Sequence, residues 1–94
     1  MAFAYDEFEL TDSAYRHGYE DEDFAEILRG PRLIIRSRRG RRVGYEIFGR
    51  NAAGEYLLAA GRVVKYAEVT VFRVFHLNRM NQSERKRYLR MVGR

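Results

Sequence analysis

Apolar positions along the chain follow two different periods, and Gly30-Pro31 separates them. Before that point Phe8-Glu9-Leu10 reads as a short extended stretch. Thr11 then stands as an N-cap for a short helix through Ala14, Tyr15 and His17, which Gly18 stops. The run Glu20-Asp21-Glu22-Asp23 opens a second helix, because carboxylates are favoured at the positive end of the helix dipole. Phe24, Ile27 and Leu28 at i, i+3 and i+4 give that helix one apolar face.

After Pro31 the period shortens to about two, and Arg32 to Arg38, Val43 to Arg50, Glu55 to Val64 and Glu68 to His76 read as strands. The connectors Arg39-Gly40-Arg41-Arg42 and Asn51-Ala52-Ala53-Gly54 have turn chemistry, so consecutive strands are expected to pair as an antiparallel meander. The last strand is apolar on both faces and is expected inside the sheet. Asn81-Gln82-Ser83-Glu84 then has the form of a capping box at the head of a final helix to about Val92. Tyr88, Leu89 and Val92 would make its core face, leaving Lys86, Arg87, Arg90 and Arg94 as a basic stripe. The expected fold class is α+β: a short N-terminal strand and two helices, an antiparallel four-stranded meander and a C-terminal helix, in one domain over 1–94.

Charge changes this picture more than composition does. Residues 1–30 carry nine acidic and two basic residues, a net −7, whereas residues 31–94 carry sixteen basic and four acidic, a net +12. Fourteen of those sixteen are Arg, the planar donor that suits phosphate, so a polyanionic partner is the first expectation. The polyanion expected is RNA, with Arg36, Arg38, Arg62, Lys65, Arg87 and Arg90 as its contacts. Apolar runs are far too short to span a bilayer, and MAFAYDEFEL has no basic leader region. No membrane association is expected, and a cytoplasmic location is.

Many chemistries lack their residues. There is no Cys, and His17 and His76 stand apart with no His-x-x-x-His spacing, so neither a metal site nor a thiol nucleophile is expected. The glycines match no phosphate-binding fingerprint, and no cofactor is expected. What remains is Arg73, His76, Arg79, Glu84, Arg85 and Tyr88, running from a strand end through a turn to a helix start. Cleaving RNA through its own 2′-hydroxyl needs a base, an acid and fixed positive charge, which such a set contains. Arg73, His76, Arg79, Glu84 and Tyr88 are the catalytic candidates, although Glu84 is better explained as a capping partner. Strand parity poses one difficulty: Arg73 and His76 are three positions apart and face opposite ways on a regular strand, unless a bulge or the strand exit turns one of them. His17, just before a helix-ending Gly, reads as a helix-terminal residue.

Three segments resemble the BrnT-like toxins, a branch of the RelE/ParE superfamily of bacterial toxin–antitoxin systems. They are Arg16-His17-Gly18-Tyr19 with the acidic helix start; Ile47-Phe48-Gly49 through Asn51-Ala52-Ala53-Gly54-Glu55-Tyr56-Leu57-Leu58; and Arg73-Val74-Phe75-His76-Leu77-Asn78-Arg79-Met80-Asn81 followed by Ser83-Glu84-Arg85 and Tyr88. Leu10 stands where the family carries Trp. The resemblance implies a RelE-like fold and a metal-independent endoribonuclease. It also implies a small antitoxin partner, often a ribbon-helix-helix DNA-binding protein, with operator DNA bound only through the toxin–antitoxin complex. Two other classes stay open from the residues themselves: a noncatalytic nucleic-acid-binding or regulatory module, and a protein-interaction subunit with a basic face.

Overall fold

The computed structural model describes residues 4–39 and 42–92. Its elements run β1 (Glu7–Leu10), a 3-10 helix (Asp12–Tyr15), α1 (Asp21–Arg29), β2 (Leu33–Arg39), β3 (Arg42–Arg50), β4 (Tyr56–Tyr66), β5 (Val69–Arg79) and α2 (Gln82–Val92). The fold is α+β. Gly40, Arg41 and Arg94, assigned above to a turn and to the basic stripe, lie outside the described residues.

β2 to β5 pair consecutively and antiparallel, but the sheet is not limited to those four strands. It has five strands in the order β1-β5-β4-β3-β2 and is mixed, with β1 parallel to β5 and every other pair antiparallel. Glu7 pairs with Val71, 64 residues on, and nothing in local spacing announces so distant a pairing. The first helix is also shorter than expected, a single 3-10 turn ending at Tyr15. Thr11 makes no side-chain cap; its hydroxyl meets Ser13 Oγ at 2.9 Å instead. Here the chain turns over β5: Thr11 N donates to Val74 O at 2.9 Å and Ser13 Oγ to Phe75 O at 2.7 Å, so the turn's polar groups serve the strand.

One face of the sheet carries α1. Phe24 and Ile27 are fully buried there against Ile47, Leu57, Ala59, Phe72, Val74 and Leu77, and Phe24 stacks on Phe72 with centroids 6.0 Å apart. Truncating a buried Phe of this kind costs about 3–5 kcal/mol. Gly49 lets the helix close, since a Cβ there would lie 2.6 Å from Ile27 Cγ2. The acidic helix start has structural work: Glu20 N donates to Asp23 Oδ2 at 2.8 Å. Asn51 Nδ2 donates to Asp23 Oδ1 at 3.1 Å and Ala52 N to Glu26 Oε1 at 2.8 Å, binding the β3–β4 turn to α1.

The other face carries α2, but only at one end. Tyr88 and Met80 pack there on Phe48 and Leu58, with Leu33, Ile35, Tyr56 and Val92 around them. The capping box is present: Asn81 N donates to Glu84 Oε1 and Glu84 N to Asn81 Oδ1, each at 2.8 Å. Leu89, expected in the core face, is exposed. The ridge that meets the sheet is Glu84, Tyr88 and Val92 at i, i+4 and i+8, and Leu89 sits about 100° around the helix from it.

Candidate active site

Beside the first turn of α2 the same sheet face opens into a cleft of about 780 Å³. Its floor is small, with Gly44, Ala60 and Gly61 among its residues, and Ser37, Glu46, Arg62, Arg73, His76 and Glu84 bring polar chemistry to it. Register explains the grouping. Glu46 of β3 lies opposite Ala60 of β4, and Ala60 lies opposite His76 of β5, so one rung reads Glu46, Ala60, His76. On the next rung of that face Arg62 is opposite Arg73, and Arg73 is opposite Glu9 of β1. With neighbouring strands about 4.8 Å apart, the Glu46 and His76 Cα atoms are about 10 Å apart across a methyl-sized gap.

A β-bulge makes this possible. The β4–β5 register shifts between Ala60 and Gly61, with Gly61 opposite Val74 but Ala60 opposite His76, and Phe75 is the extra residue. Without the shift, His76 would fall opposite Ala59, whose side chain belongs to the buried α1 face. The bulge therefore resolves the parity difficulty: Arg73 and His76, three positions apart, both line the cleft. Gly61 is required here, because a Cβ would come within 2.3 Å of Arg73 O.

The charges in the cleft are unevenly matched. Arg73 Nε pairs with Glu9 Oε2 at 3.1 Å, half exposed to water. Glu46 and Arg62 make no ion pair or side-chain hydrogen bond among the described residues. Two guanidinium side chains directly opposite on adjacent strands repel, and an anion between them relieves this. His76 meets the ring of His17 edge-on, with centroids 6.0 Å apart, so the residue read as a helix terminus instead stands beside the cleft's imidazole.

Of the five catalytic candidates, the cleft gathers Arg73, His76 and Glu84, the last with Oε1 already taken by the cap. Arg79 and Tyr88 do not line it. Arg79 reaches Tyr19 Oη (3.4 Å) and Glu55 Oε2 (3.3 Å), and Asn51 Nδ2 donates to Glu55 Oε1 at 2.9 Å. The Asn51 amide, with Tyr19 and Arg79 after it, holds the Glu55 carboxyl below its ordinary value. Tyr88 is buried, and its hydroxyl donates to Pro31 O at 2.8 Å; desolvation pushes its ionisation up. Both therefore have structural partners.

The RNA contacts proposed from sequence are spread out. Arg62 is in the cleft. Arg36, opposite Tyr45, occupies a register position of the α1 face, and Lys65 lies near the β4–β5 hairpin tip. Arg87 and Arg90 are exposed on α2, and the side chain of Arg38 is outside the described residues. Arg85 lies over the Tyr56 ring at 4.1 Å and Arg50 over the same ring at 5.0 Å, a basic–aromatic cluster beside the α2 start. Glu46 and Phe75 were missed by sequence reasoning, and Gly61, an interior strand glycine, was the available signal of a bulge.

Among the described residues no helix is long and apolar enough to cross a membrane, and no group of three or more His, Cys, Asp or Glu side chains is placed to hold a metal ion. Compared with known protein families and with characterised proteins, the chain finds no match in sequence.

Proposed function

We propose that this protein is an endoribonuclease that cleaves RNA by proton transfer alone, and that it serves as a RelE-like, BrnT-like toxin restrained by a small antitoxin. The observation that carries the chemistry is the Glu46–Ala60–His76 rung lying beside the Arg62–Arg73 rung. Strand cleavage through the 2′-hydroxyl needs a base and an acid on opposite sides of one phosphorus. A carboxylate and an imidazole facing each other over Ala60 have that relation. Glu46 takes the 2′-hydroxyl proton as O2′ attacks phosphorus; the P–O5′ bond breaks and protonated His76 gives its proton to O5′. The products are a 2′,3′-cyclic phosphate and a 5′-hydroxyl. Arg62 and Arg73 neutralise the charge that builds on the phosphoryl oxygens, a contribution on the order of 10²–10³-fold for one well-placed donor. The toxin part of the reading rests on the sequence resemblance.

The test is cleavage of single-stranded RNA by purified protein in the presence of chelator, with Glu46→Gln and His76→Ala alongside. Each variant is expected to fold and to lose about 10²–10⁴-fold in rate. Parental rates in both would remove the acid–base assignment. RNA binding without cleavage by the parent would favour the noncatalytic module. For the toxin role, induction is expected to arrest growth, with relief by a small antitoxin encoded beside it.

A further inference from the structure

We propose that Phe75 is a stacking platform for a nucleobase, so that the cleft takes single-stranded RNA with a purine beside the scissile phosphate; this rests on the ribonuclease reading of the same cleft. Phe24, Phe48 and Phe72 are fully buried and Phe8 is partly buried against the α1-side core, whereas Phe75 is 46% exposed. It is the bulged residue of β5, adjoins His76 and lines the cleft wall. Bulges re-aim side chains, and this one is firmly held: Ser13 Oγ grips Phe75 O at 2.7 Å, and Thr11 N grips the preceding carbonyl at 2.9 Å. These bonds fix the backbone at Phe75, and so the direction in which its Cα–Cβ bond leaves the strand, and ask nothing of the ring.

An exposed apolar residue alone is unremarkable in a small protein. What gives this one meaning is its company. A π-face lies one residue from a proton donor and within the same cleft as two guanidinium groups, one with no ion-pair partner among the described residues. Apolar face plus phosphate charge at this spacing matches an unstacked nucleotide, whose base lies on the ring while its phosphate reaches the arginines. A duplex keeps its base faces covered and cannot use the ring. The larger face of a purine gains more from stacking than that of a pyrimidine.

The chain has no Trp, so Phe75→Trp introduces a single indole at the site. Oligodeoxyadenylate, which lacks the 2′-hydroxyl and cannot be cut, is titrated into this variant and compared with an otherwise identical strand made abasic. Quenching by the adenine strand and not by the abasic one is expected. Phe75→Ala and Phe75→Leu are expected to weaken parental binding of the adenine strand about 5- to 150-fold, the range seen for one stacked base, and to raise KM on single-stranded RNA more than they lower kcat. If Phe75→Leu binds as the parent does, or the indole responds equally to the abasic strand, the stacking role is wrong. If the indole reports the base but the parent cleaves no RNA, the platform stands and the ribonuclease reading falls. If the parent binds neither strand, the stacking role falls, and RNA cleavage by the parent alone decides the ribonuclease reading.

Discussion

A methyl group at position 61 would sit 2.3 Å from a carbonyl oxygen of the neighbouring strand, closer than any relaxed packing allows. Gly61→Ala is therefore expected to cost about 1–3 kcal/mol in chemical denaturation, and to reduce RNA cleavage beyond what lost folding explains, because the bulge sets where His76 points. Arg79→Ala is expected to leave cleavage at the parental rate and the denaturation midpoint almost unmoved, since its guanidinium serves Tyr19 and Glu55 outside the cleft in an exposed, solvent-screened ion pair. Glu55 gives a pH signature. Its carboxyl lies below the ordinary 4.5 in the folded state, so its contribution is fully present above that value and is lost as pH falls through the lowered one. Glu55→Gln is expected to flatten the acid limb of the denaturation midpoint plotted against pH. At this scale His76 and Arg73 were legible, as polar residues closing an apolar strand. Glu46 was not: on an alternating strand it looks like any solvent-facing carboxylate, and only register pairs it with His76.

Elements obey their local signals where those signals are self-contained. The capping box at Asn81 and Glu84 closes as its spacing demands, and Asn81→Ala is expected to cost about 0.5–2 kcal/mol in thermal or chemical melts. Unchanged stability with lost cleavage would instead assign that turn to the site. Tyr88→Phe is expected to cost about 0.5–1.5 kcal/mol by freeing Pro31 O, with cleavage unaffected. The period-two stretches after Pro31 become β2 to β5 within a few residues, because alternation and turn residues act over short distances. The strand-long run of β5 continues to Arg79, three residues past the expected end, since pairing with β4 carries it onward as far as Leu57. The pairing of β1 and the bulge at Phe75 were out of reach. Both depend on contacts between segments far apart in the chain, and a short alternating tripeptide or a lone strand glycine does not name its partner.

Across the whole molecule, net charge overstates what one ligand can touch. The basic side chains lie on both sheet faces, the hairpin tip and the outer side of α2, and of the arginines and lysines only Arg62 and Arg73 line the cleft. With about two to four phosphates neutralised, log affinity is expected to fall against log salt with a slope of roughly −1.4 to −3. A steeper slope would mean that the strand wraps onto the second face; none at all would remove phosphate from the account. The strand order has a further consequence for how the protein is made. Among the described strands β5 follows all the others in the chain, yet it lies between β1 and β4. While the chain is emerging, β1 has nothing to pair with, and the cleft lacks Arg73, Phe75 and His76 together. A nascent or truncated chain ending before Val69 holds Glu46 and Arg62 on a β2–β3–β4 unit and no acid opposite them. Under the proposed mechanism the cleft is completed only when β5 pairs with β4, the same event that gives β1 its place.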